Sequence, residues 1–331
     1  MDKKIIIAEI GSNHNGNLSL ALKHIDEAKK SGADYVKFQM HISEEETTID
    51  APSPSYFKSE SRYEYFKRIN FNNSNWRKII SHCKKLNIGF LCSPFSKKAV
   101  DELEKLKVSM YKIPSGELTN HPLLIRLKKT KKFCILSTGM SNYKEIDNAV
   151  KILNKRLAIL QCSSIYPCQN NNVGINVIKE MKNRYKKYNL HFGFSDHTLG
   201  YSASAAAASN GATIIEKHFT ISKKLYGSDA KHSMEPDEFK LFTQIIKDIW
   251  KIMDKKVNKN DIKKYKKMKF IFEKGIVANQ NLTKGHTLTE KDLAFKKPQN
   301  GIRADEFYSI IGKKLKKNIF KDEFFLKKYL K

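Results

Sequence analysis

What the chain has little of narrows its class first. Five cysteines in 331 residues, Cys83, Cys92, Cys134, Cys162 and Cys168, include no Cys-x-x-Cys pair. A disulfide framework and a four-cysteine zinc site are therefore set aside, and the thiols are expected to be reduced residues in or near the core of a cytoplasmic protein. No apolar run approaches the roughly 20 residues of a membrane-spanning helix. The N-terminal run, Ile5 to Ala8, ends at Glu9 after four residues, too short for a signal peptide, so a soluble protein without membrane contacts is expected. Acidic residues are scarce as well: 34 Asp and Glu stand against 62 Lys and Arg, a formal charge of +28 and a pI near 9.7. Such a balance suits an acidic partner, and one reading is a nucleic-acid-binding scaffold without catalysis. The lysines, however, are spread along the whole chain and form no stripe with aromatics between them, so no nucleic-acid partner is expected.

What is present is a row of polar residues closing eight short apolar runs. Glu9 follows Ile5-Ile6-Ile7-Ala8, Lys37 and Gln39 lie in Tyr35-Val36-Lys37-Phe38-Gln39, and Ser93 closes Gly89 to Cys92. Next come Lys112, Ser115 and Glu117 in the run from Tyr111, then Ser137 after Ile135-Leu136. The last three runs are Leu157 to Gln161, Phe192 to His197, and Ile214 to His218. Helix-length stretches with apolar residues at helical spacing separate them, as in Leu18, Leu22, Ile25 and Ala28. Eight strand–helix units predict an α/β fold, a closed (β/α)8 TIM barrel whose functional residues gather at the strand C-termini.

The barrel is expected to span residues 1–255. Its last helix opens at Pro236 and buries Phe239, Phe242, Ile246, Ile249 and Met253, and a basic linker follows at 256–272. Residues 41–75, with Pro52, Pro54 and six aromatics from Tyr56 to Phe71, form an excursion expected to cover the site. In 273–331 the stretch Asn281 to Leu288 is echoed by Asn318 to Phe325, which predicts a small pseudo-symmetric domain that leans on the barrel or on a second subunit.

Among the strand-end residues, His197 and His218 are candidate ligands of one divalent ion. Two imidazoles with open positions suit a Lewis-acid site, and Asp196, Glu216 and Asp229 are nearby carboxylates able to orient them. Lys37 and Lys112, with Ser93, Ser115, Ser137 and Ser195, suit an anion clamp better than a Schiff base, since a phosphate offers more acceptors than one ammonium satisfies. Taken singly, each serine reads first as a strand-end hydroxyl bonded to its own backbone. Glu9 and Glu117 are carboxylates suited to positioning water or moving protons. The residues alone thus point to a metal-assisted reaction of a small phosphorylated or carboxylated metabolite.

The stretch Ala8-Glu9-Ile10-Gly11-Ser12-Asn13-His14-Asn15-Gly16, with Val36-Lys37-Phe38-Gln39, Tyr111 to Glu117, Leu136 to Met140, Ser195-Asp196-His197-Thr198 and Glu216 to Thr220, resembles the sialic acid (N-acetylneuraminate) synthase family, which includes the legionaminic and pseudaminic acid synthases. Residues 273–331 resemble the antifreeze-protein-like (SAF) domain of these enzymes. The resemblance implies condensation of phosphoenolpyruvate with an open-chain acetamido hexose, giving a nine-carbon 2-keto acid and phosphate. N-acetylmannosamine is the first expectation for the sugar, and a 6-deoxy diacetamido sugar is the alternative. It also implies Mn2+ or Mg2+ at His197 and His218, and phosphoenolpyruvate held by Lys112, Ser93, Ser115, Ser137 and Ser195 with Lys37 nearby. Glu9 and Asp229 would orient metal-bound water, and Gln39, Tyr166, Glu117 and Asp229 would hold the sugar. The family further implies a domain-swapped homodimer in which the C-terminal domain lends an arginine to the partner's barrel. Here Lys297 stands at that position with Arg303 close by, and Gly227-Ser228-Asp229 replaces a more usual Gly-Pro-Asp turn.

Overall fold

The eight apolar runs become eight parallel strands that pair in sequence order and close on themselves, β8 bonding back to β1. In this computed structural model, which describes residues 4–52 and 60–331, the strands are β1 (Ile5–Gly11), β2 (Tyr35–Met40), β3 (Gly89–Pro94), β4 (Met110–Ile113), β5 (Phe133–Ser137), β6 (Leu157–Cys162), β7 (His191–Asp196) and β8 (Ile214–His218). Between them run α1 (Leu18–Lys30), α2 (Ser43–Glu46), α3 (Arg62–Ile69), α4 (Asn73–Lys85), α5 (Lys97–Lys105), α6 (His121–Lys129), α7 (Tyr143–Leu153), α8 (Asn176–Arg184) and α9 (Ser202–Ser209), and α10 (Pro236–Asp254) follows β8. The excursion after β2 supplies α2 and α3; its Pro54 and Tyr56 lie outside the described residues.

Two concentric cores follow from the two-residue alternation of strand side chains. Ile5, Ile7, Leu91, Met110, Ile135, Ala158, Leu160 and Ile214 point inward and plug the N-terminal half of the barrel. Their neighbours, among them Ile6, Ala8, Val36, Phe38, Cys92 and Ile113, point outward against the helices. Because the apolar plug ends partway along the strands, the inward positions above it are left for polar residues. Asparagine and serine start many of the helices: Asn17, Ser61, Asn72, Ser96, Asn120 and Asn142 each accept a backbone N–H of the first turn. On α10 the buried face is Phe239, Phe242, Ile246 and Trp250, whose Nε1 donates to the Ala212 carbonyl at 2.8 Å; Met253, expected inside, is exposed. All five cysteines are buried and free.

The chain divides into two compact units, Met1–Lys255 and Lys256–Lys331. The basic stretch expected as a linker is partly helical, with α11 at Lys266–Phe272. Beyond it β9 (Gly275–Ala278) pairs antiparallel with β10 (Leu293–Lys296). The sequence echo is a pseudo-twofold: Leu282 and Ile319 exchange backbone hydrogen bonds, Asn281 accepts from Lys321 N, and Asn318 accepts from Lys284 N. Ile276, Leu288, Ile302, Leu315 and Phe325 help to give this unit a core of its own, more than its length suggested.

Candidate active site

At the C-terminal ends of the strands the inward polar residues line a cavity of about 820 Å³. Register and closure bring together groups far apart in sequence. Lys37 Nζ on β2 lies 3.2 Å from Glu9 Oε2 on β1 and 3.1 Å from Glu216 Oε1 on β8, all three side chains about 95 % buried. Glu216 Oε1 also accepts from Ser195 Oγ at 2.9 Å and lies 3.7 Å from Lys112 Nζ. Lys112 in turn donates to Ser137 Oγ at 2.6 Å.

Two lysines thus respond to one carboxylate in opposite senses. Burial works against the charge of Lys37, but Glu216 and Glu9 outweigh it and raise its pKa, so it is a fixed cation. Lys112 is as deeply buried with one carboxylate at a longer distance, and burial prevails, lowering its pKa to about 8. Glu216 would be raised by burial, yet Lys112 and Lys37 hold it well below the ordinary carboxylate range. Glu9 goes the other way: desolvation lifts it to about 7 against the pull of Lys37. An anion arriving at Lys112 would supply the counter-charge this lysine has in smaller measure than Lys37.

A break in the register of β1 after Glu9 places Gly11 at φ +54 between two carboxylates. A Cβ there would come within 2.6 Å of Asp229 Oδ2 and 3.2 Å of Glu9 Oε1, so only glycine lets the loop after β8 close over the strand end. Asp229 Oδ2 lies 3.9 Å from His218 Nδ1 and accepts from Ser12 Oγ at 3.4 Å. Tyr166 packs on His197, ring centroids 4.1 Å apart, and burial raises its pKa so that the phenol keeps its proton.

The two histidines fit a divalent ion. His197 Nδ1 donates to the Ser163 carbonyl at 2.8 Å, which fixes the tautomer that leaves Nε2 a lone pair. His218 Nδ1 is buried without a hydrogen-bond partner, and burial lowers its pKa to about 4, so the ring is neutral. The ring centroids lie 5.5 Å apart. No group of three or more His, Cys, Asp or Glu suited to a metal occurs among the described residues, and the two imidazoles are the donors that could hold one.

Several expectations from sequence change here. Asp196 does not support the metal pair: alternation turns it outward, where it pairs with Lys217 at 3.0 Å and accepts from Ser204 and Thr198. Glu216 faces inward as expected but serves the two lysines. Ser93 points inward yet is fully buried, its hydroxyl unpartnered, and it does not line the cavity. Glu117 is not among the lining residues either; its Oε2 accepts from Asn120 at 2.7 Å, and burial raises its pKa. Ser115 lines the cavity and accepts from Gly139 N at 3.0 Å. Lys297 belongs to the second unit, its Nζ 5.3 Å from the Phe272 ring centroid. Sequence reasoning missed His41, Arg62, Phe66, Phe95 and Met140 in the cavity wall. For His41 the signal was available, since it continues the inward alternation of Lys37 and Gln39.

Comparison with known proteins follows the same lines. The NeuB family model matches residues 24–258, and the SAF domain model matches residues 273–331. The chain is 38 % identical to the N,N'-diacetyllegionaminic acid synthase of Campylobacter jejuni over 98 % of its own length and 99 % of the relative's. To the protein of the same name from Legionella pneumophila it is 33 % identical, over 95 % of this chain and 91 % of the other. Among solved structures, an N-acetylneuraminic acid (sialic acid) synthetase from Leptospira borgpetersenii, in complex with citrate, superposes with a TM-score of 0.70 at 30 % identity, covering 81 % of this chain and 92 % of that one.

Proposed function

The chain belongs to the NeuB family, and from that membership we propose that it is a phosphoenolpyruvate-dependent nonulosonic acid synthase of the legionaminate type. Its sugar would be 2,4-diacetamido-2,4,6-trideoxymannose and its products N,N'-diacetyllegionaminic acid and inorganic phosphate. The observation that carries this choice is the 38 % identity to a synthase of that name across nearly the whole of both chains. N-acetylmannosamine, the first expectation from sequence, becomes the second reading. The apolar part of the cavity wall, Phe66, Phe95 and Met140, also suits a sugar bearing methyl groups where another has a hydroxyl.

In this reading carbon three of phosphoenolpyruvate bonds to the aldehyde carbon of the sugar, water adds at carbon two, and the resulting tetrahedral carbon expels phosphate. A divalent metal such as Mn2+ or Mg2+, held by His197 and His218, would supply Lewis acidity toward the aldehyde oxygen. Lys112, Ser115, Ser137 and Ser195, with Lys37 behind them, hold the anionic oxygens of phosphoenolpyruvate. Glu9 and Asp229 flank the strand end where water is oriented, and Glu9, lifted toward neutrality by burial, is suited to exchange a proton there. Gln39, Tyr166 and Asp229 hold the sugar, whereas Glu117, on the turn that carries Ser115, does not line the cavity. Lys297 of a swapped partner subunit would reach the sugar's acyl group in a homodimer.

The test is phosphate release from phosphoenolpyruvate by metal-stripped protein with Mn2+ added back, against 2,4-diacetamido-2,4,6-trideoxymannose, N-acetylmannosamine and a pseudaminate-type sugar in parallel. Metal-dependent release with the first sugar at the highest kcat/KM is expected. Preference for either of the others would reassign the branch, and no release with any sugar would overturn the synthase reading.

A further inference from the structure

A buried chain of hydrogen bonds leaves Glu9 and runs outward through Gln39 into the excursion after β2, ending on His41 and Glu46, which the reaction above does not use. Gln39 Nε2 donates to Glu9 Oε1 at 2.7 Å, and Gln39 Oε1 lies 3.0 Å from His41 Nε2. The other ring nitrogen, His41 Nδ1, lies 2.8 Å from Glu46 Oε1 on α2. His41 is 2 % exposed and lies nearly parallel between Phe66 and Phe95, with centroids 3.8 and 4.1 Å away. Phe66 comes from α3, and Ser43 on α2 donates to the Tyr63 carbonyl of α3 at 2.9 Å, so the two short helices of the excursion hold the ring together.

A carboxamide is a donor at one end and an acceptor at the other, and half a turn exchanges them. Here its neighbours decide the orientation. The ionised form of Glu9 only accepts, so it takes the NH2 end, and the oxygen must face a donor. Gln39 Oε1 therefore takes its hydrogen bond from His41 Nε2, and a second hydrogen bond joins His41 Nδ1 to Glu46 Oε1. A ring that donated at Nδ1 alone would draw the NH2 toward itself and turn the carboxamide oxygen onto the Glu9 carboxylate, where two acceptors repel. Held as it is, Gln39 has its acceptor committed to His41 and one N–H still unspent.

We propose that His41, clamped by Glu46, Phe66 and Phe95, is a positioning residue that sets the Gln39 carboxamide so that the cavity meets an N–H donor there, and so selects an oxygen acceptor on the sugar. The proposal rests on the reading of this cavity as the sugar site. It couples folding of α2 and α3 to the catalytic end of β1, because the ring that orients Gln39 is held by both helices.

The variant is the double substitution His41→Phe with Glu46→Gln in the full chain. Phenylalanine keeps the flat slot between the two rings, and glutamine avoids leaving a buried carboxylate without its partner. Two readouts apply. In 15N-glutamine-labelled protein the Gln39 side-chain signals, assigned by their loss in Gln39→Glu, are expected to be a slowly exchanging pair that shifts and loses protection in the double variant. In kinetics, kcat/KM for the sugar is expected to fall between about ten- and a hundredfold, with the KM for phosphoenolpyruvate unchanged within about twofold. Unchanged Gln39 signals would overturn the proposal, as would equal losses for both substrates accompanied by a lowered Tm, the pattern of a purely structural residue. If the wild-type protein turns over no sugar, the synthase reading fails, and the Gln39 signals still decide whether His41 sets the carboxamide.

Discussion

Lys112 on β4 donates its buried Nζ to Ser137 Oγ on β5 at 2.6 Å, placing a cation and a hydroxyl from neighbouring strands on the same wall of the cavity. Replacing Lys112 by Ala removes one charge-assisted hydrogen bond, about 1.5–3 kcal/mol, or roughly 10- to 150-fold in affinity. The expected result is a KM for phosphoenolpyruvate raised by that factor with the sugar KM little changed. A raised sugar KM alone would contradict the clamp.

The same lysine predicts a pH limb. Burial lowers its pKa to about 8, so it is charged below that pH and neutral above it. Since an anion binds the charged form, kcat/KM for phosphoenolpyruvate should fall as pH rises through about 8, approaching tenfold per unit. Lys112→Met should have a low and nearly flat profile across this range. Persistence of the same midpoint in that variant would assign the limb to another group.

His218→Ala should weaken Mn2+ binding by more than about a hundredfold, measured by titration calorimetry on the metal-stripped protein, while the far-UV circular dichroism stays unchanged. His218 lies at the end of β8 with its Nδ1 unpartnered, so its loss breaks no hydrogen bond that holds the barrel. Wild-type metal affinity in this variant would remove it from the donor set.

Asp196 and Lys217 form an ion pair at 3.0 Å outside the barrel wall, with both side chains no more than 1 % exposed. Asp196→Ala leaves the ammonium buried with the Thr198 carbonyl as its remaining partner, and should cost about 3–5 kcal/mol in urea unfolding. A loss of metal affinity at unchanged stability would restore Asp196 to the metal-supporting role that its place beside His197 suggested.

Ending the chain at Lys255 removes the whole second unit and leaves the barrel with both of its cores. The truncated protein is expected to fold, to be monomeric by light scattering and to bind phosphoenolpyruvate, with sugar use reduced by more than about tenfold through loss of Lys297 and its domain. A fully active monomer would refute the swapped-dimer proposal.

The sequence by itself determined the architecture and the roster. Apolar runs of strand length separated by helical spacing gave eight strands, and alternation put Glu9, Lys37, Gln39, Lys112, Ser195, Glu216 and His218 on the inner face. The paired asparagines of the echo in 281–325 were equally legible, because each bonds the backbone of the other half. What alternation cannot supply is partnership across the barrel, or the depth at which an inward residue sits. Glu216 meets Lys37 from 179 residues away because β8 closes on β1, and Ser93, level with Gln39 in register, is nevertheless fully buried. The pairing of Asp196 with Lys217 and the opposite responses of Lys37 and Lys112 to one carboxylate were decided by the tertiary structure alone. Each depends on distances of 3–4 Å between strands, and on burial, which only the closed barrel sets.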